Sequence, residues 1–306
     1  MRLESVVLAH DGRPGSPERI PAVLGPAAEQ CPELALKGVL ALGGGDAAGL
    51  AEQLGTRVLD PGQLVDTDLV VGTLHPETLL GTPELGRAGM VAADRLIGTD
   101  REQVERLRGL AYADRLRPLT PWRHHAAVTP LLASVAGGRF GLIHAIHAEL
   151  LAGNADVTEG TWALPWLTAG VLDLISQFVP AGELTLHAVE CGSSVTLSGT
   201  WRDGCIFTAM VGSPRPGVPE SVHRYRLLAS HGQAFVDLAS PLMTLYTNRI
   251  ERIPLTTTPM ARQLSLIATG GGAGFDVLVD SAARVAMIRE SIATGAVVSS
   301  MSVGSV

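Results

Sequence analysis

The sequence predicts two domains of different class: an α/β domain over residues 1–120 and an α+β domain over residues 121–306. Three observations support this division. Short apolar runs alternate with helix-like segments in the first third, which is typical of a parallel sheet covered by helices. Closely spaced strand patterns fill residues 183–247 and indicate a large, mostly antiparallel open sheet. Between them, the apolar segment Trp162–Ile175 predicts a helix.

The first domain is predicted to contain buried strands, because its apolar runs are too short for helices. These strands are residues 5–9, 39–42, 68–72 and 90–93. The predicted helices are residues 17–30, 46–54, 83–88 and 99–112. Pro21 and Pro26 are expected to shorten or break the first helix, since proline lacks an N–H group.

The second domain is predicted to begin with a helix at 126–137 and a strand at 142–151. A helix over 163–178 follows and stops before Pro180. The remaining predicted strands are 183–190, 193–201, 204–211, 221–229, 233–238 and 242–247. A final helix at 276–294 ends at Gly295, and we expect it to pack back toward the first domain.

The composition excludes several classes of function. The formal net charge is −7 and aromatic residues make up only 4%, which argues against nucleic-acid binding. We see no apolar stretch of the length that a membrane span requires. The cysteines Cys31, Cys191 and Cys205 do not form a disulfide framework. The sequence therefore predicts a cytoplasmic protein with reduced thiols.

Several stretches, in their order and spacing, resemble the Gfo/Idh/MocA oxidoreductase superfamily. They are Val70–Thr73, Arg87–Leu96, Ala136–Ile143 and Ala282–Gly295. The resemblance implies a Rossmann-like first domain and a homodimer or homotetramer formed through the second-domain sheet. Within the superfamily, residues Tyr225–Tyr246 look more like the thiazolinyl imine reductases of siderophore assembly lines. That likeness implies NADP or NAD as cofactor and an imine or carbonyl substrate in specialised metabolism, such as natural product biosynthesis.

The hexad His10–Gly15 matches the superfamily's dinucleotide fingerprint, but in degenerate form. His10 replaces the first glycine, while Gly12 and Gly15 match the other two. Asp11 is expected to repel phosphates, and Pro14 removes a backbone donor. The segment is read equally well as a cofactor cradle, with Arg13 beside it, or as a glycine turn that binds nothing.

Two further positions complete the implied cofactor site. Gly43, in a run of three glycines, stands where the superfamily places the acid that binds the ribose hydroxyls. Thr73 ends the segment that resembles the third strand and is an implied cofactor contact. Asp46 is also near the second strand, although a helix cap is the simpler interpretation.

The candidate catalytic residues lie at three places. Arg95 stands where the superfamily has a lysine near the nicotinamide, but an arginine stays protonated and is a poor general acid. The superfamily has a histidine three residues before an aspartate. Here Asp173 matches the aspartate, and Gly170 stands in place of the histidine. His124 and His125 lie at the domain junction. An exposed imidazole in a cleft is suited to acid–base chemistry because its ordinary pKa is near neutrality.

Three tryptophans are candidates for lining a substrate pocket. Trp122 lies at the junction, and Trp162 and Trp166 flank Pro165. Core packing is the competing interpretation of the last two. No metal site is predicted, because no His, Cys or acidic cluster has ligand spacing.

Three functions remain open from the sequence. The first is an NAD(P)-dependent reductase of an imine or carbonyl. The second is a non-redox enzyme, of cyclase or dehydratase type, that uses Arg95, His124 and Asp173. The third is a non-catalytic binding subunit.

Overall fold

A computed structural model describes most of the chain. The described residues are 3–13, 16–42, 46–94, 96–151, 163–179, 182–212, 222–239, 242–246, 250–254 and 257–300. The chain divides into two compact units. Unit 1 comprises residues 1–124 and 257–282, and unit 2 comprises residues 125–256 and 283–306.

Unit 1 contains a parallel sheet of five strands in the order β2-β1-β3-β4-β5, which confirms the predicted α/β class. The strands are β1 (Ser5–His10), β2 (Ala35–Ala41), β3 (Leu69–Thr73), β4 (Met90–Asp94) and β5 (Leu116–Pro118). Strands β1 and β3 are buried along their whole length. This explains why they read as continuous apolar runs rather than as alternating patterns.

Helices cover this sheet. They are α1 (Ser16–Arg19), α2 (Gly25–Glu29), α3 (Ala47–Gln53), α4 (Pro76–Gly81), α5 (Arg101–Arg108) and, from later in the chain, α8 (Pro259–Ala268). A π-helical turn, Ile20–Leu24, joins α1 to α2, so Pro21 does not end the helical run. Short 3-10 turns occur at Pro61–Asp66, Pro83–Arg87, Ala113–Arg115 and Pro121–His124.

Helix α8 returns to unit 1 and was not predicted. Its Met260, Leu264 and Ile267 are buried in the same apolar cluster as Leu24 of the π-helical turn. The buried Gln263 side chain accepts the N–H of Thr120 at 2.9 Å, which fixes α8 beside the end of the parallel sheet.

Unit 2 contains a sheet of nine strands in the order β13-β12-β11-β10-β6-β9-β8-β7-β14. They are β6 (Ile143–Leu151), β7 (Leu184–Cys191), β8 (Ser194–Trp201), β9 (Ile206–Gly212), β10 (Val222–Ala229), β11 (Gly232–Asp237), β12 (Leu242–Tyr246), β13 (Ile250–Pro254) and β14 (Val298–Ser299). The β6–β9 pair is parallel and the other described pairs are antiparallel. The predicted mostly antiparallel sheet is thus confirmed.

The helices that complete this fold are α6 (Val128–Ala136), α7 (Ala163–Ile175) and α9 (Asp276–Thr294). Helix α7 packs against β6, β8 and β9, and its residues 166–175 are buried. The division between the units falls within α9, after Ala282. Gly295 ends α9 with a φ of +65°, the left-handed conformation that glycine adopts readily. In the described part of the chain, no helix combines the length and apolarity needed to cross a membrane.

Candidate functional site

Polar side chains meet at the carboxyl edge of the parallel sheet in unit 1. His10 ends β1, Thr73 ends β3 and Asp94 ends β4, and each is the register neighbour of the next. The chain passes from β1 to β2 on one side and returns to β3 on the other. The carboxyl ends of β1 and β3 therefore form the topological switch point, where α/β proteins of this kind bind ligands.

The loop after β1 satisfies its own backbone donors. The N–H of Asp11 donates to the Ser16 hydroxyl at 3.2 Å, and the N–H of Gly12 donates to His10 Nδ1 at 3.3 Å. The N–H of Arg13 donates to Asp11 Oδ1, also at 3.2 Å. Gly12 has a φ of +72°, which lets the chain turn back on itself. The three N–H groups at the start of the fingerprint are therefore occupied by neighbouring side chains.

The Asp11 carboxylate is built into the fold. Its Oδ2 accepts the N–H of His75 at 2.8 Å and lies 3.4 Å from the Thr78 hydroxyl, at the N-terminus of α4. Its side chain is only 2% exposed, and Arg13 Nε lies 3.8 Å away. A negative charge is thus held in a loop that, in a dinucleotide-binding protein, faces phosphates.

These contacts do not fit a nicotinamide dinucleotide bound in the usual manner. A pyrophosphate needs free N–H groups and a favourable field at this loop, whereas here the donors at 11–13 are taken and a carboxylate is buried beside them. Gly15 and Gly43 lie outside the described residues. Asp46 caps α3 by accepting the N–H of Gly49 at 2.8 Å, as the simpler interpretation had it.

A buried ion pair lies at the same edge. Arg19 Nε donates to Asp94 Oδ2 at 2.5 Å, with side chains 7% and 0% exposed. The next residue, Arg95, lies outside the described residues, so its predicted catalytic role stays a prediction. The sequence reasoning missed Arg19, whose place on a short helix gives no signal of a partner 75 residues away.

Unit 2 contains a second group of polar side chains on the inner face of its sheet. Strand β10 alternates, so His223, Tyr225 and Leu227 are buried while Arg224 and Arg226 are exposed. His223 Nε2 lies 2.9 Å from the Tyr225 hydroxyl. Tyr225 and His223 are only 1% and 6% exposed, so this hydrogen bond lies away from solvent.

Asp173 and His125 act on this pair electrostatically. Burial raises the pKa of Tyr225 well above its ordinary value, and Asp173 raises it further. Burial lowers the pKa of His223 to about 3, and His125 adds to that effect. The side chains of His223 and Tyr225 are therefore both neutral near pH 7. Asp173 Oδ1, on α7, lies 3.9 Å from Nη1 of Arg284, on α9. We call Asp173, His223, Tyr225 and Arg284 the unit 2 cluster.

The other predicted residues are distributed between the units. Trp122 and His124 belong to the half-buried 3-10 turn that ends unit 1. His125 begins unit 2, is 2% exposed, and its Nδ1 accepts the N–H of Ala127 at 3.1 Å. Trp166 is buried within α7, and Trp162 lies outside the described residues.

The sequence reasoning missed His223, Tyr225 and Arg284. A signal was present for two of them, because positions 223, 225 and 227 share the buried face of a predicted strand. Polar residues on such a face need partners, and they are candidates for function. Within the described ranges, no group of three or more His, Cys, Asp or Glu side chains is arranged to hold a metal ion.

Comparison with solved structures identifies the fold. UDP-N-acetylglucosamine 3-dehydrogenase GnnA from Acidithiobacillus ferrooxidans is similar with a TM-score of 0.73 at 18% identity, covering 95% of this chain and 98% of that one. A myo-inositol dehydrogenase from Corynebacterium glutamicum has a TM-score of 0.72 at 17% identity, covering 98% and 99%. Levoglucosan dehydrogenase, solved with NADH and L-sorbose, has a TM-score of 0.75 at 15% identity, covering 98% and 99%.

The chain thus shares the two-domain fold of these three dehydrogenases, which confirms the fold that the sequence resemblance implied. No protein-family model and no curated protein sequence matches it.

Proposed function

We propose that the chain is an enzyme of small-molecule metabolism that performs acid–base chemistry, of dehydratase or cyclase type, on a carbonyl or imine. The unit 2 cluster carries the reaction. The observation that supports this most is the buried hydrogen bond between Tyr225 and His223 beside Asp173. Burial of polar groups that are tuned by a specific charge is typical of functional sites.

Tyr225 is the proposed hydrogen-bond donor to the substrate. In the tautomer that carries the proton on Nε2, His223 donates to the phenol oxygen and leaves the phenol proton for the substrate. The raised pKa keeps Tyr225 protonated, so it donates to a carbonyl oxygen or imine nitrogen at neutral pH. A fixed donor of this kind stabilises the negative charge that develops there.

Asp173 is the proposed base. Its carboxylate removes a proton from the carbon beside the C=O or C=N group, and the electron pair moves to the oxygen or nitrogen that Tyr225 contacts. The electron pair then returns to form a C=C bond as the C–O bond of a hydroxyl on the following carbon breaks. The departing hydroxide takes the proton from Asp173 and leaves as water, which restores the carboxylate and the C=O or C=N group. Arg284, 3.9 Å from Asp173, positions the carboxylate. The step needs no oxidant or reductant.

An NAD(P)-dependent reductase of an imine or carbonyl is the second candidate. It is supported by levoglucosan dehydrogenase, which shares the fold and was solved with NADH. The loop at 11–13 argues against it, because its donors are occupied. The likeness to thiazolinyl imine reductases and a role in specialised metabolism remain part of this second proposal.

Proton exchange in heavy water tests the first proposal. Purified protein is incubated in D₂O with hydroxylated ketones and imines, and loss of the proton next to the C=O or C=N group is followed by NMR. We expect proton exchange or dehydration without any nicotinamide cofactor. The Asp173→Asn variant is expected to lose this activity. Conversion that appears only with NADPH supports the reductase instead. No conversion under either condition contradicts both and favours a non-catalytic binding subunit.

We also propose a cytoplasmic homodimer or homotetramer assembled through the outer face of the unit 2 sheet. His147, Glu149, Arg224, Arg226 and Phe235 line a shallow groove on this face. Arginine and aromatic side chains are enriched at protein interfaces, so Arg224, Arg226 and Phe235 on an open sheet suit contact with a second copy. Light scattering is expected to show an oligomer that Arg226→Glu weakens, and a monomeric wild-type protein contradicts this.

A further inference from the structure

Two buried polar atoms at the switch point of unit 1 lack partners among the residues that the structure describes. They are Nε2 of His10 and Oγ1 of Thr73. His10 is 0% exposed and Thr73 is 4% exposed. Buried polar atoms are nearly always hydrogen-bonded, so each exception needs an explanation, and a ligand is one of the few available.

The two atoms belong to neighbouring residues. His10 and Thr73 are register partners in the parallel pair β1–β3, which places their side chains on the same face of the sheet. The switch point lies between these two strands. The unpartnered atoms therefore coincide with the position at which the strand order reverses and a ligand is expected.

The hydrogen bonds around them define what they offer. His10 Nδ1 accepts the N–H of Gly12 at 3.3 Å, so the proton of the neutral ring sits on Nε2, which is a donor. Burial lowers the pKa of His10, which keeps the ring neutral. The Thr73 hydroxyl is a donor and an acceptor. A carbonyl or hydroxyl oxygen satisfies both side chains.

The surrounding charges are already paired. The Asp94 carboxylate, next to Thr73 in register, receives Arg19 Nε, and the Asp11 carboxylate receives two backbone N–H groups. The described cations nearest this edge lie beside these carboxylates, since Arg19 pairs with Asp94 and Arg13 Nε lies 3.8 Å from Asp11 Oδ2. The site thus favours an uncharged ligand over a phosphate.

We propose that the switch point of unit 1 binds an uncharged molecule through a carbonyl or hydroxyl oxygen held by His10 Nε2 and Thr73 Oγ1. The proposal concerns unit 1 alone and does not depend on the reaction proposed for unit 2. It also accounts for the two unpaired atoms. Functional groups that bind a ligand commonly lower the stability of the free protein, and a missing hydrogen bond is one such cost.

Adenosine and ADP form a matched pair of probes, because they differ only in the diphosphate. Calorimetric titration of the full chain is expected to show adenosine binding and no tighter binding of ADP. Thr73→Val and His10→Asn are each expected to weaken adenosine by about tenfold, the loss of one hydrogen bond. Asn in place of His10 can keep an acceptor near the position of Nδ1, but its side chain is too short to place a donor at the position of Nε2. Absence of adenosine binding at millimolar concentration, or tighter binding of ADP, overturns the proposal.

Thermal unfolding without ligand separates this site from one filled by a permanent water. Thr73→Val is expected to leave the Tm unchanged or to raise it, because the hydroxyl it removes has no partner. Thr99→Val is the control, since Thr99 is equally buried but its hydroxyl donates to the carbonyl of Leu96. That control is expected to lower the Tm. An equal decrease in both variants means that water already satisfies Thr73, and the proposal fails.

Discussion

The carboxylate of Asp11 accepts the backbone N–H of His75 at 2.8 Å, although 64 residues separate them in the sequence. This contact ties the loop after β1 to the loop after β3. The same carboxylate accepts the N–H of Arg13, so the fingerprint loop is closed by its own side chain. The two-domain fold that this chain shares with known dehydrogenases thus contains a loop that the Asp11 carboxylate holds through backbone N–H groups.

Replacing Asp11 tests this structural role. Asp11→Ala is expected to lower the free energy of unfolding by about 1–3 kcal/mol, because backbone donors in a largely buried region lose their acceptor. Urea denaturation measures the change. Glu105→Ala is the control, since Glu105 forms an exposed ion pair with Arg108 and its loss should matter little. Similar effects of the two substitutions argue against a structural Asp11.

The Arg19–Asp94 ion pair gives a second prediction. Arg19→Met removes the guanidinium from a carboxylate that is fully buried, and the expected loss of stability is about 3–5 kcal/mol. Arg106→Met is the matched control, because its pair with Glu77 is exposed. Denaturation curves that shift equally for both variants contradict the buried pair.

Tyr225 is expected to matter for turnover rather than for folding alone. Tyr225→Phe should reduce turnover about 100-fold or more, because it removes the donor to the developing charge. Tyr112→Phe is the control, since Tyr112 is also buried and donates to the carbonyl of Leu79 at 2.9 Å, within unit 1. Both variants should lose comparable stability. If the Tyr225→Phe variant turns over substrate at the wild-type rate, Tyr225 is not the donor to the substrate.

Acid is expected to destabilise the protein through its buried histidines. Burial lowers the pKa of His223 to about 3 and also lowers the pKa of His10 and His75. Below about pH 6.5 the unfolded chain binds protons that the folded chain does not. For His223, stability is therefore complete above that pH and falls toward pH 3, by at most about 1.4 kcal/mol per pH unit.

Substitution of His223 tests the assignment of this pH dependence. His223→Gln should flatten the decline in unfolding free energy between about pH 6.5 and pH 3, because it removes one of the contributing groups. His144→Gln should leave the decline unchanged, because His144 is exposed. Unfolding curves measured across this range compare the two. An unaltered slope in His223→Gln shows that other groups cause the decline.

Much of the fold is predictable from local sequence. The apolar runs that became β1 and β3, and the amphipathic pattern of α9 with Gly295 after it, specify their own structure. Helix α8 escaped prediction because the strand-rich pattern before it gave no reason to expect a return to unit 1. The π-helical turn at Ile20–Leu24 escaped because Pro21 alone suggests a break.

The candidate site was less predictable. Asp173 and His125 were selected from the sequence, but His223 and Tyr225 were not, since their pairing depends on which face of β10 is buried. The hydrogen bonding of the loop at residues 11–13 was only partly predicted. Asp11 suggested repulsion of phosphate, whereas its partner His75 lies on another loop that only the folded sheet brings near.

Titration with NADH and NADPH, followed by nicotinamide fluorescence, tests the central claim that the fingerprint loop does not hold a dinucleotide. Asp11 and the occupied donors at residues 11–13 predict no fluorescence change at millimolar cofactor with the wild-type protein. Saturable binding of either nucleotide contradicts the claim, and binding at micromolar concentration would re-establish the reductase as the leading function.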